Sequence, residues 1–318
     1  MVGPILGPPL GGWLTDTYSW HWVFLINVPI MAALLIAAPK LLPEYHNEDA
    51  GRLDLMSVAL SLAAVLPVIY GLKEIAAEGF HASSLVSIAA GIGFGTVFIR
   101  RQTILADPLI DLALFKIPAF NASLLVNLAG VFFIFGIFLF QNQYLQLVLK
   151  LTPLQAALWS IPPSLVFTLM SLHAWRVTAK FGPVKSVLGG LVVNALGAAL
   201  MAAAALVQSL YGILGASMVM GFGFVPVILT TTGLIVGSAP VERAGSASAI
   251  SETGAEFGGA LGVAVLGSLG TFIYRAMMTG ADFAALPGES TEIARGSLGA
   301  AVEEAARLGV SDAPWLAL

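Results

Sequence analysis

Runs of about twenty apolar residues recur along this chain, and they restrict its fold more than any other feature. A run of that length crosses the hydrocarbon core of a bilayer as an α-helix. The runs do not alternate between apolar and polar residues, so they do not fit the strands of a membrane β-barrel. The predicted spans are residues 22–38, 55–72, 85–99, 120–140, 154–175, 184–206, 210–237 and 247–274.

Composition agrees with this pattern. Of the 318 residues, 58% are hydrophobic and only 10% are charged, and the mean hydropathy is +0.91. A soluble domain carries about 25% charged residues. We therefore predict an all-α polytopic membrane protein with eight complete transmembrane helices and one partial helix at residues 2–13.

The distribution of lysine and arginine predicts the orientation of these spans. If the loops are numbered alternately, nine basic residues fall on one side and two, Lys73 and Lys150, fall in the opposite short loops. By the positive-inside rule, the richer side is cytoplasmic. Its members are Lys40, Arg52, Arg100, Arg101, Lys116, Arg176, Lys180, Lys185 and Arg243.

The last span contains two acidic residues, Glu252 and Glu256, which lie four positions apart and so share one face of a helix. Gly254, Gly258 and Gly262 have the same spacing and fall on roughly the opposite face. Small residues at this spacing let two helices pack closely. Ionisable groups inside a membrane are costly to keep there, so the acids are candidate functional residues.

The sequence lacks the residue patterns of metal sites, ATP-driven pumps and enzymes. The chain has no cysteine, and its four histidines are scattered, so we expect no metal site and no disulfide. It has no GxxxxGK[ST] phosphate loop, HExxH pair or Ser/His/Asp arrangement, which argues against an ATP-driven pump and against an enzyme. We expect no organic cofactor and no nucleic-acid partner.

The first residues form a glycine- and proline-rich helix segment, in which one face is smooth and the prolines introduce a kink. Its pattern resembles the antiporter motif GPxxGG of the major facilitator superfamily, found near the end of the fifth helix. The matching residues are Gly3, Pro4, Gly7, Pro8, Gly11 and Gly12.

The next segment makes the resemblance more specific. Residues 19–29 read SWHWVFLINVP, which is similar to the entry to the sixth helix of the fourteen-helix drug:proton antiporters of the EmrB/QacA type. Residues 111–125 resemble the approach to the ninth helix, and Phe181-Gly182-Pro183 with Lys185 resembles a second copy of the cytoplasmic loop motif. Residues 240–245 and 251–262 are similar to the entry to the thirteenth helix and to that helix itself.

This resemblance implies that the chain runs from the middle of helix five to just past helix thirteen. The expected parts are 1-38, the end of the N-terminal lobe with helices five and six; 39-119, a linker with two extra helices; 120-274, the C-terminal lobe with helices nine to thirteen; and 275-318, an external amphipathic loop. Helices one to four and helix fourteen would lie outside it, so we expect the chain alone to be an incomplete transporter.

The function implied by the resemblance is proton-coupled multidrug efflux of hydrophobic and cationic compounds by alternating access, with the proton gradient as energy source. We expect a monomeric, multi-pass protein of a bacterial plasma membrane. Glu256 and Glu252 would couple proton or cation binding to release of a cationic substrate. For Glu252 there is an alternative, a position near the cytoplasmic end that is exposed or paired with Arg243.

Asn127, Asn194 and Phe135 are candidates for a substrate pocket. The two amides can instead form hydrogen bonds between helices, and Phe135 can instead face lipid. Two other functions stay open for the whole chain: export of one specific metabolite or antibiotic, and an inactive or partner-binding membrane protein.

Overall fold

The computed structural model describes residues 3–41, 54–78, 81–105, 108–278 and 288–309. The regular elements in these ranges are all helical. The α-helices are α1 Gly3–Thr17, α2 His21–Leu25, α3 Asn27–Leu41, α4 Leu55–Glu78, α5 Ala82–Gln102, α6 Pro118–Gln143, α7 Pro153–Trp159, α8 Ile161–Phe181, α9 Pro183–Leu206, α10 Leu210–Gly237, α11 Ala244–Met278, α12 Gly288–Gly296 and α13 Leu298–Leu308.

Eight helical stretches are long and apolar enough to cross a membrane, within the described residues. This confirms the all-α membrane fold with eight complete spans, and α1 is the partial helix before them. The spans are His21–Pro39, Leu55–Ile75, Ala82–Gln102, Pro118–Val148, Pro153–Phe181, Pro183–Leu206, Leu210–Gly237 and Ala244–Met278. Arg52, one of the basic residues used to predict orientation, lies outside the described residues.

Local sequence explains where several helices begin. Thr152 caps α7 by accepting a hydrogen bond from the Gln155 backbone N–H, and Pro153 occupies the first turn, where no intrahelical donor is needed. Between α8 and α9, Gly182 has a φ of 80°, a left-handed conformation that a residue without a β-carbon adopts at little cost. Pro183 then starts α9, so the sequence Phe181-Gly182-Pro183 forms a sharp helix–helix junction.

Contacts divide the chain into two compact units. The first unit is Met1–Arg52 with Tyr144–Thr230, and the second unit is Leu53–Gln143 with Thr231–Leu318. Each unit therefore collects two separate stretches of the chain. The boundaries expected from the sequence, at residues 38, 119 and 274, stay predictions.

The first unit has an apolar core of Leu145, Ala156, Ala204 and Ile213. Its helices α9 and α10 approach closely through small residues. A β-carbon added to Gly190 would lie 2.6 Å from the Gly223 carbonyl oxygen, so the two backbones are nearly in contact there.

The second unit contains the α4–α5 hairpin, which is closed by a polar network at one end. The Arg101 guanidinium donates to the Asp54 carboxylate from Nε at 2.6 Å and from a terminal nitrogen at 3.0 Å. The Ser57 hydroxyl donates to the same carboxylate at 2.7 Å. The Arg101 guanidinium, together with the Ser57 hydroxyl, holds the pKa of Asp54 well below its ordinary value.

The network continues from this hairpin into the loop before α6. The buried Gln102 amide donates to the Ser57 hydroxyl at 2.7 Å and accepts from the Ile110 backbone N–H at 3.3 Å. Ile110 packs against the apolar core of the second unit, whose buried members are Leu114, Phe120, Ile235, Ala247 and Ile250. The start of α4, the end of α5 and the beginnings of α6 and α11 therefore lie at one end of this unit.

Candidate functional site

Helix α11 carries the two acids, and its glycine face packs on α6. A β-carbon added to Gly258 would lie 2.6 Å from the Leu128 carbonyl oxygen, and one added to Gly262 would lie 2.1 Å from the Phe132 carbonyl oxygen. At Gly254 the neighbour is a flexible side chain, the Leu124 Cδ1 atom at 3.1 Å. Gly258 and Gly262 are thus the positions where the two backbones leave no room for a side chain.

Glu252 and Glu256 are both exposed, away from this packed face. Glu256 lines an open cavity of about 720 Å³ within the second unit, whereas Glu252 is not among the residues that line it. The cavity walls come from α4, α6 and α11. Its lining residues are Lys73, Phe135, Gln143, Glu256, Gly259, Ala260, Val263, Ala264, Gly267, Ser268 and Thr271.

Phe135 lines the same cavity as Glu256. Its ring covers Gly259, where an added β-carbon would lie 3.3 Å from the ring. A cavity lined by a carboxylate and an aromatic ring suits a lipophilic organic cation. The face of the ring attracts the positive charge, and the ring also buries the apolar surface of the ligand.

The three residues predicted for a substrate pocket do not meet within one unit. Asn127 is 1% exposed, and its amide donates to the Thr231 hydroxyl at 3.0 Å and the Thr232 hydroxyl at 3.1 Å. Asn194 belongs to the first unit, where its Oδ1 atom is buried without a hydrogen-bond partner among the described residues. Of the three, Phe135 alone lines the cavity that holds Glu256.

Arg243 is paired with a residue other than the one considered from the sequence. Its guanidinium forms an ion pair with Asp111, which lies in the loop before α6. The described residues show no ion pair between Arg243 and Glu252. The segment before α11 is therefore tied to the segment before α6.

The glycines of the predicted antiporter motif differ in their surroundings. Gly3 and Gly7 have open space where a β-carbon would be, and Gly11 has Val23 at 3.9 Å. Gly12 is buried tightly against α7, since an added β-carbon would lie 2.8 Å from the Leu154 Cα and from the Pro153 carbonyl oxygen. Pro8 lies inside α1, in which Pro4 is also a helical residue.

Sequence reasoning missed Lys73 and Gln143 as cavity residues. Lys73 was expected in a turn, but α4 continues to Glu78 and carries it as a helical residue. Gln143 is the last residue of α6, three positions beyond the span predicted for residues 120–140. Among the described residues, no group of three or more His, Asp or Glu side chains is placed to hold a metal ion.

Comparison with known proteins gives a family match over most of the chain. The family model described as Major Facilitator Superfamily matches residues 1–263. The multidrug efflux pump LfrA of Mycolicibacterium smegmatis is 34% identical over 315 residues, which cover 99% of this chain and 62% of that protein.

Two other relatives carry more specific names. The tetracenomycin C resistance and export protein of Streptomyces glaucescens is 31% identical over 273 residues, or 83% of this chain and 49% of that protein. The methyl viologen resistance protein SmvA of Salmonella typhimurium is 28% identical over 307 residues, or 95% of this chain and 61% of that protein. This chain thus spans about half to three-fifths of the length of these relatives.

Proposed function

Because the chain belongs to the major facilitator superfamily, we propose that it serves in multidrug efflux, moving hydrophobic and cationic compounds out of the cell by proton-coupled alternating access. It is a multi-pass protein of the cell membrane, with relatives in bacteria and eight helices able to span a bilayer. The relatives are named for multidrug efflux or for resistance to a named compound, which supports drug efflux as the function. We assign the chain, more finely, to the fourteen-helix EmrB/QacA type, from mid helix five to just past helix thirteen, on the resemblance at residues 3–12 and 19–29.

The observation that carries this proposal is the position of Glu256 on a membrane-spanning helix, at the wall of an open cavity that the Phe135 ring also lines. A carboxylate can bind either a proton or an organic cation, and the two compete for its negative charge. Proton entry would then release the cation, which is the exchange that an antiporter performs. Glu252 is exposed one turn nearer the start of α11, and we give it the secondary role in coupling.

The test is transport by the full-length protein, reconstituted into proteoliposomes with an imposed pH gradient. We expect accumulation of a lipophilic monocation such as tetraphenylphosphonium, together with dissipation of the gradient. Glu256→Gln should abolish the exchange, because an amide binds neither a proton nor a cation electrostatically. Glu252→Gln should reduce it less. Exchange that survives Glu256→Gln intact would show that the coupling residue lies elsewhere.

One relative favours a second candidate function. The Streptomyces glaucescens protein is named for export of a single compound, so this chain could belong to a one-metabolite exporter. A panel of chemically unrelated cations separates the two functions. Efflux of several of them supports multidrug transport, and efflux of one compound alone supports the second candidate.

A further inference from the structure

The cavity that holds Glu256 has a second group of polar residues. Lys73, Gln143, Ser268 and Thr271 line it together with apolar and small residues of α11. The Thr271 hydroxyl donates to the Gly267 carbonyl at 3.1 Å, so its oxygen can still accept a hydrogen bond. Within the described part of the chain, neither Lys73 nor Glu256 has an ion-pair partner, although the same cavity contains both charges.

The order of residues along the cavity follows from the packing of α6 on α11. Gly254 faces Leu124, Gly262 faces Phe132 and Gly270 faces Phe140, so the two helices run in the same direction. Gln143, at the end of α6, therefore lies on the side of Thr271. Ser268 lies about 18 Å further along the α11 axis than Glu256, given the rise of an α-helix.

Helix α4 runs in this direction too. Its first turn is bonded through Ser57 and Gln102 to Ile110, which packs on the cluster containing Ala247 at the start of α11. Lys73 stands 16 residues after Ser57, about 24 Å along α4, and Glu256 stands 9 residues after Ala247, about 14 Å along α11. Lys73 therefore lies about 10 Å further along the groove than Glu256. The cavity is thus a groove with a carboxylate towards one end, an ammonium about 10 Å further along it, and amide and hydroxyl groups towards the other end.

We propose that this groove binds elongated amphiphiles that carry a cationic group at one end and an anionic or strongly accepting group at the other. The cation binds at Glu256 against Phe135, the apolar body lies along Val263 and Ala264, and the anionic group accepts from Lys73. Lys73 is thereby a specificity-determining residue. This inference rests on the proposed function in one respect, that the Glu256 cavity is where transported compounds bind.

Charge explains why Lys73 should discriminate between compounds of similar shape. Its ammonium attracts a carboxylate at the far end of the ligand. The same ammonium repels a second positive charge placed there.

A matched pair of probes tests the proposal on the purified chain in nanodiscs of phosphatidylcholine. Dodecyltrimethylammonium and its ω-carboxylate, ω-trimethylammonio dodecanoate, share the same cation and apolar body. We expect the zwitterion to bind about tenfold more tightly, the value of one charge-assisted hydrogen bond. Lys73→Gln should remove this preference and leave binding of the simple cation unchanged, and Lys73→Arg should preserve it. Glu256→Gln should weaken binding of both probes.

Lys150→Gln is the matched control, because Lys150 is the other lysine predicted on the outer side and does not line the groove. It should leave the preference intact. Equal binding of the two probes by the unmodified chain, or an unchanged preference in Lys73→Gln, would overturn the proposal. Addition of phosphatidylglycerol separates the two sources of an anionic group. Loss of the preference at low mole fractions of this lipid would identify a lipid phosphate as the ligand of Lys73 and overturn the proposal.

Binding in nanodiscs is measured without a proton gradient, so the outcome does not depend on efflux. A zwitterion preference that needs Lys73, found without any transport in proteoliposomes, would support the groove and refute the proposed function. Transport in proteoliposomes without a zwitterion preference would support the proposed function and refute the proposed role of the groove.

Discussion

The backbone of Gly262 lies against Phe132, whose carbonyl oxygen would be 2.1 Å from a β-carbon added at the glycine. Real β-carbons do not approach an oxygen so closely, so α6 and α11 must separate to admit even a methyl group. Glu256 lies about 120° around α11 from this contact, given the 3.6-residue turn of an α-helix. The contact with α6 therefore fixes which way Glu256 faces.

Gly262→Ala should destabilise the second unit by about 2 kcal/mol, the usual cost of overpacking a close contact. The neighbour is backbone rather than a movable side chain, so local rotation cannot relieve the clash. The measurement is unfolding in detergent by titration with sodium dodecyl sulfate. Gly245→Ala in the same helix is the control, because no atom lies within 4 Å of its added β-carbon. Equal unfolding midpoints for the two variants would contradict the close packing.

Asn127→Ala should also destabilise the chain, by about 1 to 2 kcal/mol, because it removes hydrogen bonds to Thr231 and Thr232 and leaves a small cavity. Asn142→Ala in the same helix is the control, since Asn142 is half-buried and, among the described residues, its amide donates to the Phe138 carbonyl of its own helix. The same unfolding titration measures both. A change in substrate affinity with no change in stability would instead favour the substrate role considered from the sequence.

The fold was predictable because membrane helices are specified by local composition. Each span is a long apolar run, and the capping and breaking residues, such as Thr152 and Gly182, are adjacent in sequence to the ends they define. Helix ends were less predictable, since charged residues can extend a helix beyond its apolar part. Helix α4 continues past Leu72 to Glu78, and this extension is what turns Lys73 from a loop residue into a cavity residue.

The site was predictable only where it depends on a single helix. The spacing of Glu252 and Glu256 places them on one face of α11, but it does not reveal that Glu256 alone lines the cavity, because this depends on α4 and α6. Arg243 was considered as a partner for Glu252, which is near in sequence. Its partner in the fold is Asp111, and no local pattern indicates a pairing between segments so far apart in the chain.

The Asp111–Arg243 ion pair should contribute modestly to stability. The Arg243 side chain is 48% exposed and that of Asp111 is 19% exposed, so water screens much of the attraction. In a double-mutant cycle with Asp111→Ala and Arg243→Ala, we expect a coupling energy of about 0.5 kcal/mol, which decreases as salt is added. Asp111→Ala alone should lower the free energy of unfolding by more than this coupling energy, because the Asp111 carboxylate also accepts a hydrogen bond from the Ala113 backbone N–H at 2.9 Å. Zero coupling at low salt would show that the two groups are not paired in the membrane.

The helical tail after α11 should lose order in acid, because of Glu304. The Arg307 guanidinium donates to this carboxylate from Nε at 2.9 Å, and with the Ser290 hydroxyl it lowers the pKa of Glu304 from 4.5 to about 2. A folded-state pKa below the unfolded value means that the carboxylate stabilises the tail fully above about pH 4.5 and progressively less as the pH falls towards 2. Ser290 lies in α12 and Glu304 in α13, so protonation weakens the contact between these two helices.

Hydrogen-exchange protection factors for the α13 amides, which correct for the intrinsic effect of pH, should therefore be constant above about pH 5 and fall as the pH is lowered from about 4.5 towards 2. Glu304→Gln should lower protection at the higher pH and remove most of the pH dependence, because the amide cannot ionise. Glu303→Gln, which changes an exposed glutamate of the same helix, should retain the wild-type profile. Protection that falls equally in Glu304→Gln and in the unmodified chain would assign the acid sensitivity to another group.

Tyr274 and Arg275 near the end of α11 donate hydrogen bonds to the Ala294 and Gly296 carbonyls, at 2.8 Å and 3.2 Å, and these bonds do not involve a carboxylate. Protection of α12 should consequently persist to lower pH than that of α13.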